Sequence, residues 1–126
     1  MNNPTDLKYT KSHEWILFTD EKTARIGLTD YAQNSLGDIV FINLPEIDDE
    51  LEAGESLGEV ESVKAVSDII SPVTGVVSAV NEQLEDSPEQ VNSDPCGSWL
   101  VEIGEISKQE ELMDASDYET FCAQEG

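Results

Sequence analysis

The sequence predicts a mainly β fold, a flattened barrel or sandwich of antiparallel sheets with short peripheral helices and a C-terminal helix. Three observations predict it. Apolar, β-branched runs are short and closely spaced, bounded by glycine, proline and small polar residues. No alternation of strands with long helical segments marks a doubly wound α/β fold. Helical periodicity is confined to one short internal segment and to the C-terminal end.

The elements follow in order. His13 to Phe18 and Thr23 to Leu28 lean to β structure, and Thr19-Asp20-Glu21-Lys22 between them has the polar composition of a hairpin turn. Thr29 to Gly37 offers N-cap candidates, good helix formers and a terminating glycine, which predicts a helix of two turns at most. Ile39 to Leu44 is nearly continuous in apolar residues and stops at Pro45, a pattern that predicts a strand buried on both faces. Glu46 to Gly58 is acidic, but the aspartate spacing and central glycine of a calcium loop are absent, so it reads as a solvated loop entering a strand. Ser71 to Gly75 is a turn signal, Val76 to Val80 a strand, and Asn81 to Pro95 a polar stretch with a helical turn after Ser87-Pro88. Trp99 to Ile103 returns to strand. After Gly104 the spacing of Leu112, Met113, Ala115, Tyr118, Phe121 and Cys122 predicts an apolar helical stripe. The expected organisation is one domain over 1–126, with 105–126 a C-terminal helical extension packed on it.

Composition removes whole classes of function. Six cations face 28 carboxylates, a formal charge of -22. Such a polyanion is repelled by phosphate backbones and anionic lipid surfaces, so neither nucleic acid nor a membrane is an expected partner. No apolar run approaches the roughly 20 residues that span a bilayer, and Met1 to Asp6 lacks the character of a signal or transit peptide, which predicts a cytoplasmic location. Cys96 and Cys122, the two cysteines, have no close pairing or metal-site spacing and read as reduced thiols. The one histidine, His13, has no nucleophile elbow beside it, and there is no glycine-rich phosphate loop. No catalytic constellation is present, and no metal set.

What remains is a lysine. Between Arg25 and Lys108 the sole cation is Lys64, set among Glu55, Glu59, Glu61 and Asp68. The run from Glu59 to Ser71 has neither Gly nor Pro and, as a single strand, would extend about 43 Å at roughly 3.3 Å per residue. A chain of this length has a radius of gyration of about 14 Å, so the run must fold back near its middle. Lys64 lies almost at that midpoint, which places it at a hairpin tip.

The residues around it, Glu61-Ser62-Val63-Lys64-Ala65-Val66-Ser67-Asp68-Ile69 followed by Ser71-Pro72-Val73-Thr74-Gly75, closely resemble the lipoylation hairpin of the glycine cleavage H protein family. The resemblance extends to Tyr9-Thr10-Lys11-Ser12-His13-Glu14-Trp15, Gly27 to Gln33, Leu36 to Phe41 and Leu44-Pro45-Glu46. It continues through Val80-Asn81-Glu82, Leu84 to Glu89, Asn92, Asp94-Pro95 and Trp99-Leu100, in family order from about Leu7 to Phe121. Cys96-Gly97-Ser98, where the family more often has an aromatic residue and a longer turn, and Glu102, at a commonly basic position, depart from it.

The resemblance implies a lipoyl/biotinyl-type barrel-sandwich hybrid that is a non-catalytic carrier, with lipoate in amide linkage to Lys64. It implies that the arm shuttles the aminomethyl group of glycine from a pyridoxal-phosphate glycine decarboxylase (P protein) to a tetrahydrofolate-dependent aminomethyltransferase (T protein). A dihydrolipoyl dehydrogenase (L protein) would reoxidise it, a lipoate-attaching enzyme would load it, and the carrier is expected to be a monomer serving glycine catabolism and one-carbon metabolism. A basic amine on the arm would benefit from acceptors, and Ser12, Glu14 and Asp68 are the expected cradle. Trp15 and Trp99 are expected in packing roles, and His13 has none assigned. Three alternatives stand beside this reading: a lipoyl or biotinyl domain serving another complex, against which the Ser-His-Glu-Trp segment and the C-terminal helix argue, a relay that donates lipoate to 2-oxoacid dehydrogenases, and an unmodified acidic interaction module in which Lys64 is inert.

Overall fold

The computed structural model describes residues 5–125. It is a sandwich of two antiparallel sheets with small helices at the margins and a helix at the C-terminus. The strands are β1 (Lys8–Tyr9), β2 (Glu14–Asp20), β3 (Thr23–Leu28), β4 (Ile39–Asn43), β5 (Glu50–Leu51), β6 (Ser56–Ser62), β7 (Val66–Ile70), β8 (Val73–Val80) and β9 (Val101–Gln109). The helices are α1 (Asp30–Leu36), α2 (Gln83–Asp86), α3 (Gln90–Ser93) and α4 (Ala115–Glu125). One sheet has the order β1-β2-β3-β9-β8-β5 and the other β4-β6-β7.

Strand β2 carries apolar side chains to both of its faces. Ile16 points into the main core with Ile26, Ile42, Val60, Ile69, Val77 and Ile103, while its neighbour Trp15 joins Tyr9, Ala115 and Tyr118 in a second cluster under α4. Alternation therefore puts Glu14 on the same face as Ile16, toward the interior. Trp15 lies across Gly27, its partner in the β2–β3 register, and its indole N–H donates to the Pro95 carbonyl at 3.0 Å. The glycine is required there, since a Cβ would overlap the Trp15 ring.

Helix α1 is cut out as its residues suggest. Thr29 caps it by accepting the Ala32 N–H at 3.1 Å, and Gly37, at φ 80°, ends it with an N–H donated to the Gln33 carbonyl.

Four expectations need correction. Strand β4 is not buried on both faces: Val40 and Phe41 are each 52% exposed, because only the face with Ile39 and Ile42 meets the core and the register against β6 shifts between Ile39 and Phe41, leaving two consecutive residues outside it. The chain does not turn helical after Gly104. Strand β9 continues to Gln109 because β8 pairs with it as far as Val73↔Gln109, and the helix begins ten residues later than expected, at Ala115. Likewise the turn at Ser71-Pro72 is over by Val73, and Gly75 lies within β8, where the Gly104 carbonyl passes 2.6 Å from the place a Cβ would occupy. The polar stretch before β9 holds two helical turns, α2 and α3, not one, each anchored by a buried apolar residue, Leu84 and Val91.

Gly27→Ala should displace Trp15 from its seat and lose its bond to Pro95, destabilising the fold by about 1–3 kcal/mol. Chemical denaturation followed by tryptophan fluorescence would measure this as a lowered midpoint with an altered native spectrum.

Candidate functional site

Lys64 stands at the tip of the β6–β7 hairpin, as the length argument requires. The bend is built on Ser62. Its Oγ accepts the N–H groups of Lys64 and Ala65, each at 3.2 Å, and donates to the Ala65 carbonyl at 3.2 Å; the Ser62 N–H also reaches that carbonyl at 2.8 Å. The Val63 N–H donates to the Asp38 carbonyl at 3.0 Å, tying the tip to the segment that leaves α1. A serine side chain thus replaces the turn chemistry that an Asn-Gly pair would supply. Lys64 is exposed, and its aliphatic stem passes over Gly37, where a Cβ would lie 3.4 Å from Cε and 3.9 Å from Nζ.

Beside the hairpin is a pocket of about 160 Å³. Four segments wall it: the turn into β2 with Ser12, His13 and the first strand residue Glu14, the end of β3 with Leu28, the helix α1 with Tyr31, Ala32, Ser35 and Leu36, and the β6–β7 hairpin with Val60, Ser67 and Asp68. Ser12, Glu14 and Asp68 are brought together here, although 56 positions separate the first from the last. The turn that starts β2 explains how. The His13 N–H donates to the Thr10 carbonyl at 3.2 Å, and His13 adopts φ 66°, a conformation that histidine tolerates better than most residues.

Ser12 and Asp68 are exposed at the rim, while Glu14 is 1% exposed on the pocket floor. The Thr10 hydroxyl donates to Glu14 Oε1 at 2.7 Å and accepts the Glu14 N–H at 3.1 Å. Burial pushes the Glu14 carboxyl from its ordinary 4.5 up to about 7. Hydrogen bonds from Thr10, the Ile70 backbone and Ser12 oppose that rise, and the nearby Glu110 charge adds to it. A carboxyl poised this way accepts a cation readily, since an arriving positive charge favours its ionised form.

Two residues of the pocket carry no family-independent sequence signal. His13 and Tyr31 lie with ring centroids 4.4 Å apart, and His13 Nδ1 is 2.7 Å from the Tyr118 hydroxyl. Trp15 and Trp99 are in packing roles as expected: Trp15 over Gly27, and Trp99 under the Arg25 guanidinium, 4.8 Å from the ring centroid. Glu102, one departure from the family pattern, pairs with that same Arg25 at 3.4 Å and accepts from Ser78 at 3.0 Å. Cys96 and Cys122 are partly buried in the α4 cluster. Among the described residues no helix is long and apolar enough to cross a membrane.

The family described as Glycine cleavage H-protein matches residues 7–125. The chain belongs to that family. Among its members, a glycine cleavage system H protein of Lachnoclostridium phytofermentans is 53% identical over 120 residues, covering 95% of this chain and 94% of the relative. A glycine cleavage system H protein of Mycobacterium leprae is 54% identical over 122 residues, covering 91% and 92%. The crystal structure of a glycine cleavage system H protein from Mycobacterium marinum superposes with a TM-score of 0.87 at 40% identity, covering 98% of each chain. The sandwich with its late helix is therefore the family's own architecture.

Because the folded-state pKa of Glu14 lies above its ordinary value, ionising it costs folding free energy. The stability present below about pH 4.5 declines as pH rises through about 7, by roughly 3 kcal/mol at 1.36 kcal/mol per tenfold. Glu14→Gln should remove this decline, so that the stability difference between variant and parent grows in the variant's favour across that window in urea titrations.

Proposed function

We propose that this chain is the lipoyl carrier of a glycine cleavage system, with Lys64 as the attachment residue and the pocket beside it as the resting place of the arm's cargo. The observation that carries the reading is the exposed amine at a braced hairpin tip, next to a concave site lined by acceptors. The residues present fit a lipoyl group in amide linkage. The amine is accessible, the stem runs over a glycine that offers no side chain to obstruct it, and the pocket adjoins the strand that follows the tip. When bound, such a group supplies a reducible disulfide able to carry the aminomethyl group of glycine.

The chain's own residues do the rest. Ser62 and the Asp38 carbonyl hold the tip, so that motion is confined to the side chain. Glu14 on the floor and Asp68 and Ser12 at the rim accept hydrogen bonds from an ammonium group and exclude water from the carbon beside it. The carrier performs no catalysis. Its partners are a pyridoxal-phosphate glycine decarboxylase, a tetrahydrofolate-dependent aminomethyltransferase, a dihydrolipoyl dehydrogenase and the enzyme that attaches lipoate, met in the cytoplasm by a monomer. The acidic surface, -22 in formal charge, suits basic faces on those partners.

Intact-mass analysis of protein made with lipoate available should show the addition of one lipoyl group, abolished by Lys64→Arg; an unmodified parent would refute the carrier reading. Glu14→Ala and Asp68→Ala should each shorten the lifetime of the loaded arm, roughly tenfold where one charge-assisted hydrogen bond is lost, measured as formaldehyde and ammonia release. Unchanged lifetimes would leave the carrier in place and remove the cradle.

A further inference from the structure

The large apolar side chains left exposed among the described residues are not scattered. Four of the five, Val40, Phe41, Val63 and Val66, are between 52% and 66% exposed and gather at the Lys64 end of the small sheet. Strand pairing puts them there. Phe41 of β4 stands opposite Glu61 of β6, and Glu61 stands opposite Val66 of β7, so the three form one row across the sheet. Directly opposite residues share a face with Cβ atoms about 5 Å apart. All three are exposed, while the alternate residues Val60 and Ile42 are buried, so the row lies on the face turned away from the core. Val63 continues from the row into the tip, where its N–H donates to the Asp38 carbonyl, and Val40 sits beside Phe41 at the register shift. The fifth residue, Ile47, lies past the opposite end of β4, next to Asp48, whose N–H donates to the Val77 carbonyl of β8.

Single exposed apolar residues are ordinary, but a contiguous group of them marks a contact surface. Carboxylates rim this one: Asp38, Glu59 and Glu61 are exposed, and between Arg25 and Lys108 the sole cation is Lys64 itself. The complementary surface is an apolar lip bordered by basic side chains.

We propose that the Phe41-Glu61-Val66 row is the docking surface for the enzyme that attaches lipoate, which meets the hairpin before any arm exists. The inference rests on the reading of Lys64 as the attachment residue. Reach selects this enzyme among those that handle the arm. An unmodified lysine extends about 6 Å from its Cα, roughly half the span of a loaded arm. Enzymes acting on the sulfur end work a full arm's length from the hairpin. The attaching enzyme must bring its reacting carbon to Nζ, which draws its mouth down onto Phe41, Val63 and Val66. Charge points the same way. The acyl donor is a mixed anhydride of lipoate and adenylate, and the cations that hold such an anion suit a carboxylate rim. In the step itself the Lys64 ammonium gives one proton to solvent before attack and a second as the amide C–N bond forms. The bond from the carboxyl carbon to the phosphate oxygen breaks, and AMP departs with its electron pair.

Full-length unmodified protein would be loaded by a lipoate ligase supplied with ATP and lipoate, with intact mass followed over time to give kcat/KM. Phe41→Thr and Val66→Thr keep β-branched side chains suited to a strand. Each should lower kcat/KM about tenfold, chiefly through KM, as when an apolar anchor of an interface is truncated. Ile47→Thr, a similar loss of exposed apolar surface away from the row, should load at the parental rate. Driven to complete loading by prolonged incubation, Phe41→Thr and Val66→Thr should then be reduced by dihydrolipoyl dehydrogenase with NADH, and should support glycine decarboxylation, within about twofold of the loaded parent. Parental loading of Phe41→Thr overturns the inference, as does an equal loss in Ile47→Thr. A fully loaded Phe41→Thr that the dehydrogenase or the decarboxylase serves tenfold worse also overturns it, since the row then belongs to those enzymes. A parent that takes up no lipoyl group removes the attachment reading, and the docking surface with it.

Discussion

A single serine hydroxyl decides where the long β run reverses. Ser62 Oγ accepts the N–H groups of Lys64 and Ala65 and donates to the Ala65 carbonyl, so three polar groups at the bend are satisfied without glycine or asparagine. Around it, the register of β6 against β7 puts Val60 and Ile69 into the core, and the neighbouring β4 adds Ile42. A slip of β6 by one residue would turn Val60 to solvent. The bend therefore sets both the packing of the small sheet and the position of Lys64.

The second governing feature is the two-sided burial of β2. Its outward face needs a cover, and α4 supplies one through Tyr118 and Ala115; its inward face ends at Glu14, where the sandwich opens into the pocket. A carboxyl at that point is expensive, as its raised pKa records, and the bonds from Thr10 and Ser12 recover only part of that cost. Functional sites commonly retain such locally unfavourable groups. The pocket and the helix on the far side of β2 are thus linked through one short strand and the turn before it.

Much of this was legible in the sequence, for identifiable reasons. The Lys64 bend followed from chain length against molecular size, and α1 from Thr29 and Gly37 at its two ends. The exposure of Val40 and Phe41 was hidden because an apolar run does not reveal whether one or both of its faces are covered, or where its pairing register shifts. The continuation of β9 was hidden because Ser107, Lys108 and Gln109 are polar, and their extended state is imposed by pairing with β8. Ser12, Glu14 and Asp68 entered through family resemblance, and the structure brings them to one pocket. His13 escaped because its partner Tyr118 lies 105 positions away, a contact that no local pattern encodes.

The glycine beneath the Lys64 stem governs how an appended arm would sweep. With Cδ and Cε resting along Gly37, the outer part of the side chain turns about a point already lifted clear of the hairpin, next to the end of α1. A pendulum hung from such a raised pivot covers a narrower cone than one swinging freely from the backbone, and the pivot stands at the end of α1, whose Leu36 lines the face where the carboxylates lie. Loss of conformational freedom on reaching that face is correspondingly smaller, so a plain hydrogen atom at position 37 eases the return of the cargo without touching it.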